Sequence, residues 1–173
     1  MHDYGFPPIS SPNAHTLVLG SLPGRKSLEM RQYYAHPQNS FWKVIGAMYE
    51  ADGKLPYERR VKILTSRGIA LWDVLAAAER PGSLDSSIVH STARVNDFRV
   101  FFREHPRIRR VLFNGRKAEQ MFERFARPEL GAEFPRIQYV CLPSTSPAHA
   151  GMPFAKKLAS WRILEETPDD EQP

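Results

Sequence analysis

A chain of 173 residues, 42% hydrophobic and 25% charged, is long enough to bury one core, and it holds no run of about 18 apolar residues that would cross a membrane. Its single cysteine, Cys141, excludes an internal disulfide and a cysteine-ligated zinc or iron–sulfur site. The net charge of +5 understates a basic body: Glu165, Glu166, Asp169, Asp170 and Glu171 have no base among them, and without those five acids the rest carries +10. A body of that charge suits a polyanionic partner, although many basic proteins bind none. The opening MHDYGFPPISS has neither a basic n-region nor an apolar h-region, so the expectation is a cytoplasmic protein without signal peptide or metal.

In chain order, residues 16–19 (TLVL) form the first of four short apolar or β-branched runs, bounded by turn formers. Phe41, Ile45, Met48 and Tyr49 then share a helical face over 40–50, with Asn39 or Ser40 placed as the cap. A basic amphipathic helix over 57–66 stops at Gly68, and residues 69–72 (IALW) are the second strand. Asn96 caps a segment carrying Phe98, Phe101 and Phe102, and residues 110–113 (RVLF) are the third strand. Ala118, Phe122 and Phe125 line a helix, 137–142 (IQYVCL) is the fourth strand, and Phe154, Leu158, Trp161 and Leu164 line the last helix. Trp42, Trp72 and Trp161 are expected in the core. Such alternation predicts an α/β fold, a three-layer α/β/α sandwich on a four-stranded parallel sheet. It is one domain over 1–164, followed by an acidic, disordered tail over 165–173. Ligands of such sheets sit at the carboxyl ends of the strands.

Four unusual segments lie at those ends. Gly20, Ser21, Leu22, Pro23 and Gly24 leave the first strand as a tight turn that lets backbone approach a ligand, or as a plain strand exit. It lacks the lysine–serine pair of a P-loop. Residues 33–42 (YYAHPQNSFW) hold an aromatic that can stack on a base and an amide that can orient water; equally, Tyr33 and Tyr34 fit a core and Asn39 a helix cap. Asn114 ends the third strand, where an amide suits a pocket better than a core. Ser144, Thr145, Ser146, Pro147, Ala148 and His149 form a stiff loop able to hold phosphate oxygens or fill the gap left by an extruded base, or else an exposed linker. Asp73 and Asp85 read as strand-end or loop caps rather than as hydrogen-bonding groups near the pocket, and Arg59, Arg60 and Lys62 as a solvated face rather than as phosphate contacts.

Taken in order and spacing, GSLPG at 20–24, YAHPQNSFW at 34–42, FNG at 113–115 and LPSTSPA at 142–148 resemble the uracil-DNA glycosylase superfamily. The hypoxanthine-DNA (deoxyinosine) glycosylases are the nearest branch, with the mismatch-specific uracil/thymine glycosylases next. The resemblance runs from about Phe6 to Trp161 and includes GSLDSSI at 82–88. It implies a monofunctional base-excision repair glycosylase, acting without cofactor or metal on double-stranded DNA that contains a deaminated base. Such an enzyme flips the base out of the duplex and hydrolyses its N-glycosidic bond to leave an abasic site. Its chemistry needs only a monomer.

By the same resemblance Asn39 positions the attacking water, because Leu22 stands where the mismatch-specific branch carries a catalytic Asn. Tyr34 stacks on the flipped base, while His36, Asn114 and residues 20–24 surround it. Residues 144–149 are the minor-groove loop, with Pro147, Ala148 or His149 as a wedge. Leu142 occupies the place of a catalytic His in pyrimidine-specific branches, which points to hypoxanthine over uracil. No lysine lies within these motifs, so no lyase step is expected. Three alternatives stand beside this reading: a uracil/thymine enzyme of the same fold, a catalytically silent DNA-binding module, and an unrelated nucleotide-binding α/β domain, which the missing phosphate fingerprint disfavours.

Overall fold

The computed structural model describes residues 2–82 and 84–168. Four parallel strands form its centre in the order β3-β2-β6-β7, where β2 is Thr16–Gly20, β3 Ile69–Asp73, β6 Arg110–Asn114 and β7 Gln138–Leu142. Both faces are covered, which is why β2 and β3 are buried at every position and read as unbroken apolar runs. Alternation of side chains across the pleat sorts them into two cores. Leu17, Leu19, Trp72 and Phe113 point to one side, against α4 (Phe98–Glu104) and α5 (Arg116–Met121). Val18, Ile69, Leu71 and Leu112 point to the other, against α2 (Phe41–Tyr49), α3 (Tyr57–Ser66) and α7 (Phe154–Trp161). This is the three-layer sandwich expected, and all three tryptophans are buried.

Several local readings change. Each of the first three strands runs one residue further than its apolar text, to Gly20, Asp73 and Asn114, so three functional positions sit on the ladder itself. The cap of α4 is Asp97, whose carboxylate accepts from Val100 N at 3.0 Å. Asn96 is drawn instead to the sheet, its Nδ2 donating to the Asp73 carbonyl at 2.8 Å. The helix through Ala118 and Phe122 is interrupted: α5 widens into a π turn over Phe122–Ala126 before α6 (Arg127–Leu130). Pro128 contributes no N–H there.

A short helix, α1 (Arg25–Met30), follows the glycine turn, and a second sheet was absent from the sequence reading. That sheet is antiparallel, with β1 (His2–Tyr4), β4 (Leu75–Glu79) and β5 (Arg94–Val95) in the order β1-β4-β5. Of the acidic segment, Glu165 closes a 3-10 turn, and the Arg110 guanidinium holds the carbonyls of Ile163 and Glu166 at 2.6 and 3.1 Å. The expected disordered tail otherwise falls at 169–173, outside the described residues.

Candidate active site

The carboxyl ends of β2, β3 and β6 bring Gly20, Asp73 and Asn114 side by side, as their registers require. Gly20 is the floor. A Cβ there would lie 2.5 Å from Asp73 Oδ1 and 3.4 Å from Tyr34 Oη, so only hydrogen leaves room for both groups. Tyr34 reaches this point from a left-handed backbone conformation (φ 56°), its ring stacked on Phe41 with centroids 4.1 Å apart. Its hydroxyl is buried, and burial, then the nearby Asp73, pushes its acidity far below that of an ordinary tyrosine, with the Asn114 side chain opposing. Tyr33, by contrast, is core: its hydroxyl donates to the Pro7 carbonyl at 3.0 Å.

Asp73 is the residue that sequence reading undervalued. It is 4% exposed, its Oδ2 has no partner, and burial, then repulsion from Asp85, pushes its pKa up to about 8, with Arg80 opposing. At neutral pH this carboxyl is protonated, a hydrogen-bond donor rather than a base. The available signal was an acid inside an otherwise apolar stretch, between Trp72 and Val74.

Behind Gly20 the turn is braced from outside the motif. Ser21 Oγ donates to Asp85 Oδ2 in a short hydrogen bond. Arg80 donates to the Pro23 carbonyl at 2.5 Å, pairs with Asp3 at 2.7 Å, and lies 3.6 Å from Asp85. The carbonyls of Gly20 and Ser21 accept from Val74 N and Leu75 N at 2.9 and 3.0 Å. Leu22 is buried in the core and offers the site only backbone, as does Pro23. Among the described residues no protein group accepts from the amides of Leu22 and Gly24.

A third set of contacts joins Ser40, the neighbour of Asn39, to Asn114 through Thr145. Asn114 Nδ2 donates to Thr145 Oγ1 at 2.8 Å, and Thr145 N donates back to Asn114 Oδ1 at 2.8 Å. The Thr145 carbonyl accepts from Ser40 N at 2.9 Å and Ser40 Oγ at 3.3 Å. Thr145 is therefore turned inward, 1% exposed, and is the clasp of its loop rather than a phosphate contact. Beyond Thr145, the Asn114 amide faces the Tyr34 hydroxyl. Asn39 Oδ1 accepts from Phe41 N at 2.9 Å, which fixes the amide and leaves a second lone pair and the whole Nδ2 group. One side chain thus holds the first amide of α2 and keeps donor and acceptor capacity for a ligand.

His36 is exposed and its Nδ1 accepts from Gln38 N at 3.1 Å, so it shapes the turn and does not reach the floor. The loop tip at Pro147–His149 is a 3-10 turn, begun by Ser146 Oγ accepting from Ala148 N at 3.2 Å, with Ala148 and His149 exposed. Its stem is held by Trp161 Nε1, which donates to the Pro143 carbonyl at 2.9 Å. At Gly115 (φ 94°) a Cβ would meet Ser144 Cβ at 2.7 Å, so β6 and this loop touch only because the residue is glycine.

Known proteins resemble the chain along this same framework. The pattern of the uracil DNA glycosylase superfamily matches residues 7–165. The chain is 39% identical over 119 residues to the hypoxanthine DNA glycosylase of Methanosarcina barkeri, spanning 68% of this chain and 74% of the relative. To the hypoxanthine DNA glycosylase of Methanosarcina acetivorans it is 42% identical over 115 residues, 66% and 72% of the two chains. A solution NMR structure of a candidate uracil DNA glycosylase from Methanosarcina acetivorans superposes with a TM-score of 0.77 at 35% identity, covering 96% of this chain and all of that one. With its sheet, its strand-end motifs and these relatives in agreement, the chain belongs to the uracil DNA glycosylase superfamily.

Proposed function

We propose that the protein is a monofunctional DNA glycosylase that removes hypoxanthine from double-stranded DNA, leaving an abasic site. The observation that carries this reading is the buried, unpartnered carboxyl of Asp73 at the end of β3, packed against Gly20, with the fixed amide of Asn39 at the start of α2 as the candidate water holder. The reaction needs no strong base. As the C1′–N9 bond lengthens, the sugar takes on positive charge and the purine negative charge, so water needs placement more than deprotonation.

The flipped base enters over Gly20, beside the Tyr34 ring. Asp73, protonated and otherwise unpartnered, donates a hydrogen bond to an acceptor on the purine edge, which grows stronger as the base takes up the electron pair of the broken bond. The free lone pair of Asn39 accepts from the water that attacks C1′. Water supplies the hydroxyl of the abasic sugar, and its proton balances the charge on the departing base. Residues 147–149 then fill the gap in the stack, and the product is an abasic site because no lysine reaches C1′ from these motifs. The relatives named for hypoxanthine, and Leu142 in place of a histidine, favour this base over uracil.

The test is a set of labelled duplexes carrying hypoxanthine, xanthine, uracil or thymine opposite each partner, incubated with EDTA and then treated with alkali. Hypoxanthine duplexes are cleaved fastest. Binding to every duplex with cleavage of none would establish a silent module instead.

A further inference from the structure

Away from the motif loops, three basic side chains converge with no acid to hold them together. Lys117 Nζ lies 3.4 Å from His90 Nε2, and Arg124 NH1 lies 3.1 Å from His90 Nδ1. They come from separate parts of the fold: His90 from the 3-10 turn His90–Thr92, Lys117 from α5, and Arg124 from the π turn Phe122–Ala126. Among the described residues neither Lys117 nor Arg124 forms a salt bridge. Lys117 also acts electrostatically on Asp85, whose own partners are Ser21 and Arg80.

Such an arrangement is unsatisfied as it stands. A neutral imidazole has one N–H and one lone pair, so at most one of the two cations can donate to it; the other faces a donor. The two positive charges also repel a proton from the ring, and burial acts in the same direction, which lowers the His90 pKa below its ordinary value. An anion with several oxygens resolves all three conflicts: Lys117 and Arg124 each gain an acceptor, and His90 can take a second proton and donate as well. Phe125 supports the ring edge-on at 6.0 Å. Lys117 follows Asn114 by three residues and Gly115 by two, and so stands at the carboxyl-end rim of the sheet, the side on which the flipped base would enter.

We propose that His90, Lys117 and Arg124 form a subsite for a backbone phosphate of the DNA, a second point of attachment alongside the loop at residues 144–149. It rests on the reading of the protein as a DNA glycosylase. Phosphate contacts fix register without reading sequence. The subsite therefore acts on damaged and undamaged duplexes alike.

The experiment measures duplex affinity by fluorescence anisotropy over a range of salt, with hypoxanthine-containing and undamaged duplexes. The Lys117→Gln/Arg124→Gln variant binds both about tenfold more weakly at low salt. Its plot of log affinity against log salt is shallower by about 0.9, the value of one phosphate contact. Arg136→Gln, which removes a charge near the amino ends of the strands, keeps the wild-type slope. In histidine-resolved NMR, adding duplex raises the His90 pKa, reversing the depression by its two cationic neighbours.

A double variant that remains folded by circular dichroism yet keeps the wild-type slope overturns the proposal. So does a His90 resonance that responds to millimolar inorganic phosphate and not to duplex, which would mark a small-anion site. These outcomes are separate from catalysis: an enzyme that cleaves no duplex but shows the altered slope contradicts the glycosylase reading and leaves the subsite standing as a DNA contact.

Discussion

Replacing Asp73 with Asn keeps the shape and a donor while removing the ability to ionise, and so isolates what this carboxyl costs the fold. In the unfolded chain it releases its proton near its ordinary 3.8, whereas in the folded protein it holds the proton to about pH 8. Over that window the folded state binds more protons than the unfolded state, so stability falls with rising pH by about 1.4 kcal/mol per unit. The contribution is complete below pH ~4, declines from there to about pH 8, and is level above that. Between pH 5 and pH 8 the loss is about 4 kcal/mol, a large share of a typical domain's stability. Asp73→Asn does not share it. Urea unfolding of both proteins at pH 5, 6, 7 and 8 gives the comparison, since other titrating groups largely cancel in the difference. The variant gains on the wild type at each step. A difference that stays flat across this range would refute a buried, proton-holding Asp73, and with it the donor assigned to the purine edge.

Other expectations follow from the same geometry. Base release by the wild type falls as pH rises through about 8, where Asp73 ionises, and Asp73→Asn removes that fall; a pH–rate profile of single turnovers checks both. Gly20→Ala places a methyl 2.5 Å from Asp73 Oδ1, costing about 1–3 kcal/mol in unfolding experiments and lowering kcat/KM. Thr145→Val keeps the volume but leaves Asn114 Nδ2 without its acceptor, and calorimetry should show a loss of about 1–3 kcal/mol.

The parts of the fold legible in the sequence were those in which local text and burial agree. Strands covered on both faces must be apolar throughout, so the four central runs stood out; helix faces such as Phe41–Ile45 showed their period because one side only is buried. The antiparallel sheet was hidden because its strands are two to five residues long, and β4 begins one residue after β3 ends, which merges the two in the text. The site divided the same way. Asn39, Tyr34 and Asn114 lie in dense, unusual segments and carry the family's spacing. Asp73, Arg80 and Asp85 act through long-range partners, with Arg80 meeting Asp3 and Pro23 at sequence separations of 77 and 57, and no local pattern announces such a contact. Thr145 was misjudged for a related reason: a hydroxyl in a Ser/Pro loop suggests exposure, and only the fold turns it toward Asn114.

The most direct test of the account is the release of free hypoxanthine from a deoxyinosine-containing duplex, followed by mass spectrometry under single-turnover conditions in EDTA, for the wild type and Asn39→Ala. The wild type gives free hypoxanthine and an abasic strand, with the rate lowered about 10²–10³-fold in the variant while duplex affinity stays within a few-fold. A variant that releases the base at the wild-type rate would contradict the role given to Asn39, and a wild type that binds the duplex but releases no hypoxanthine would contradict the enzyme itself.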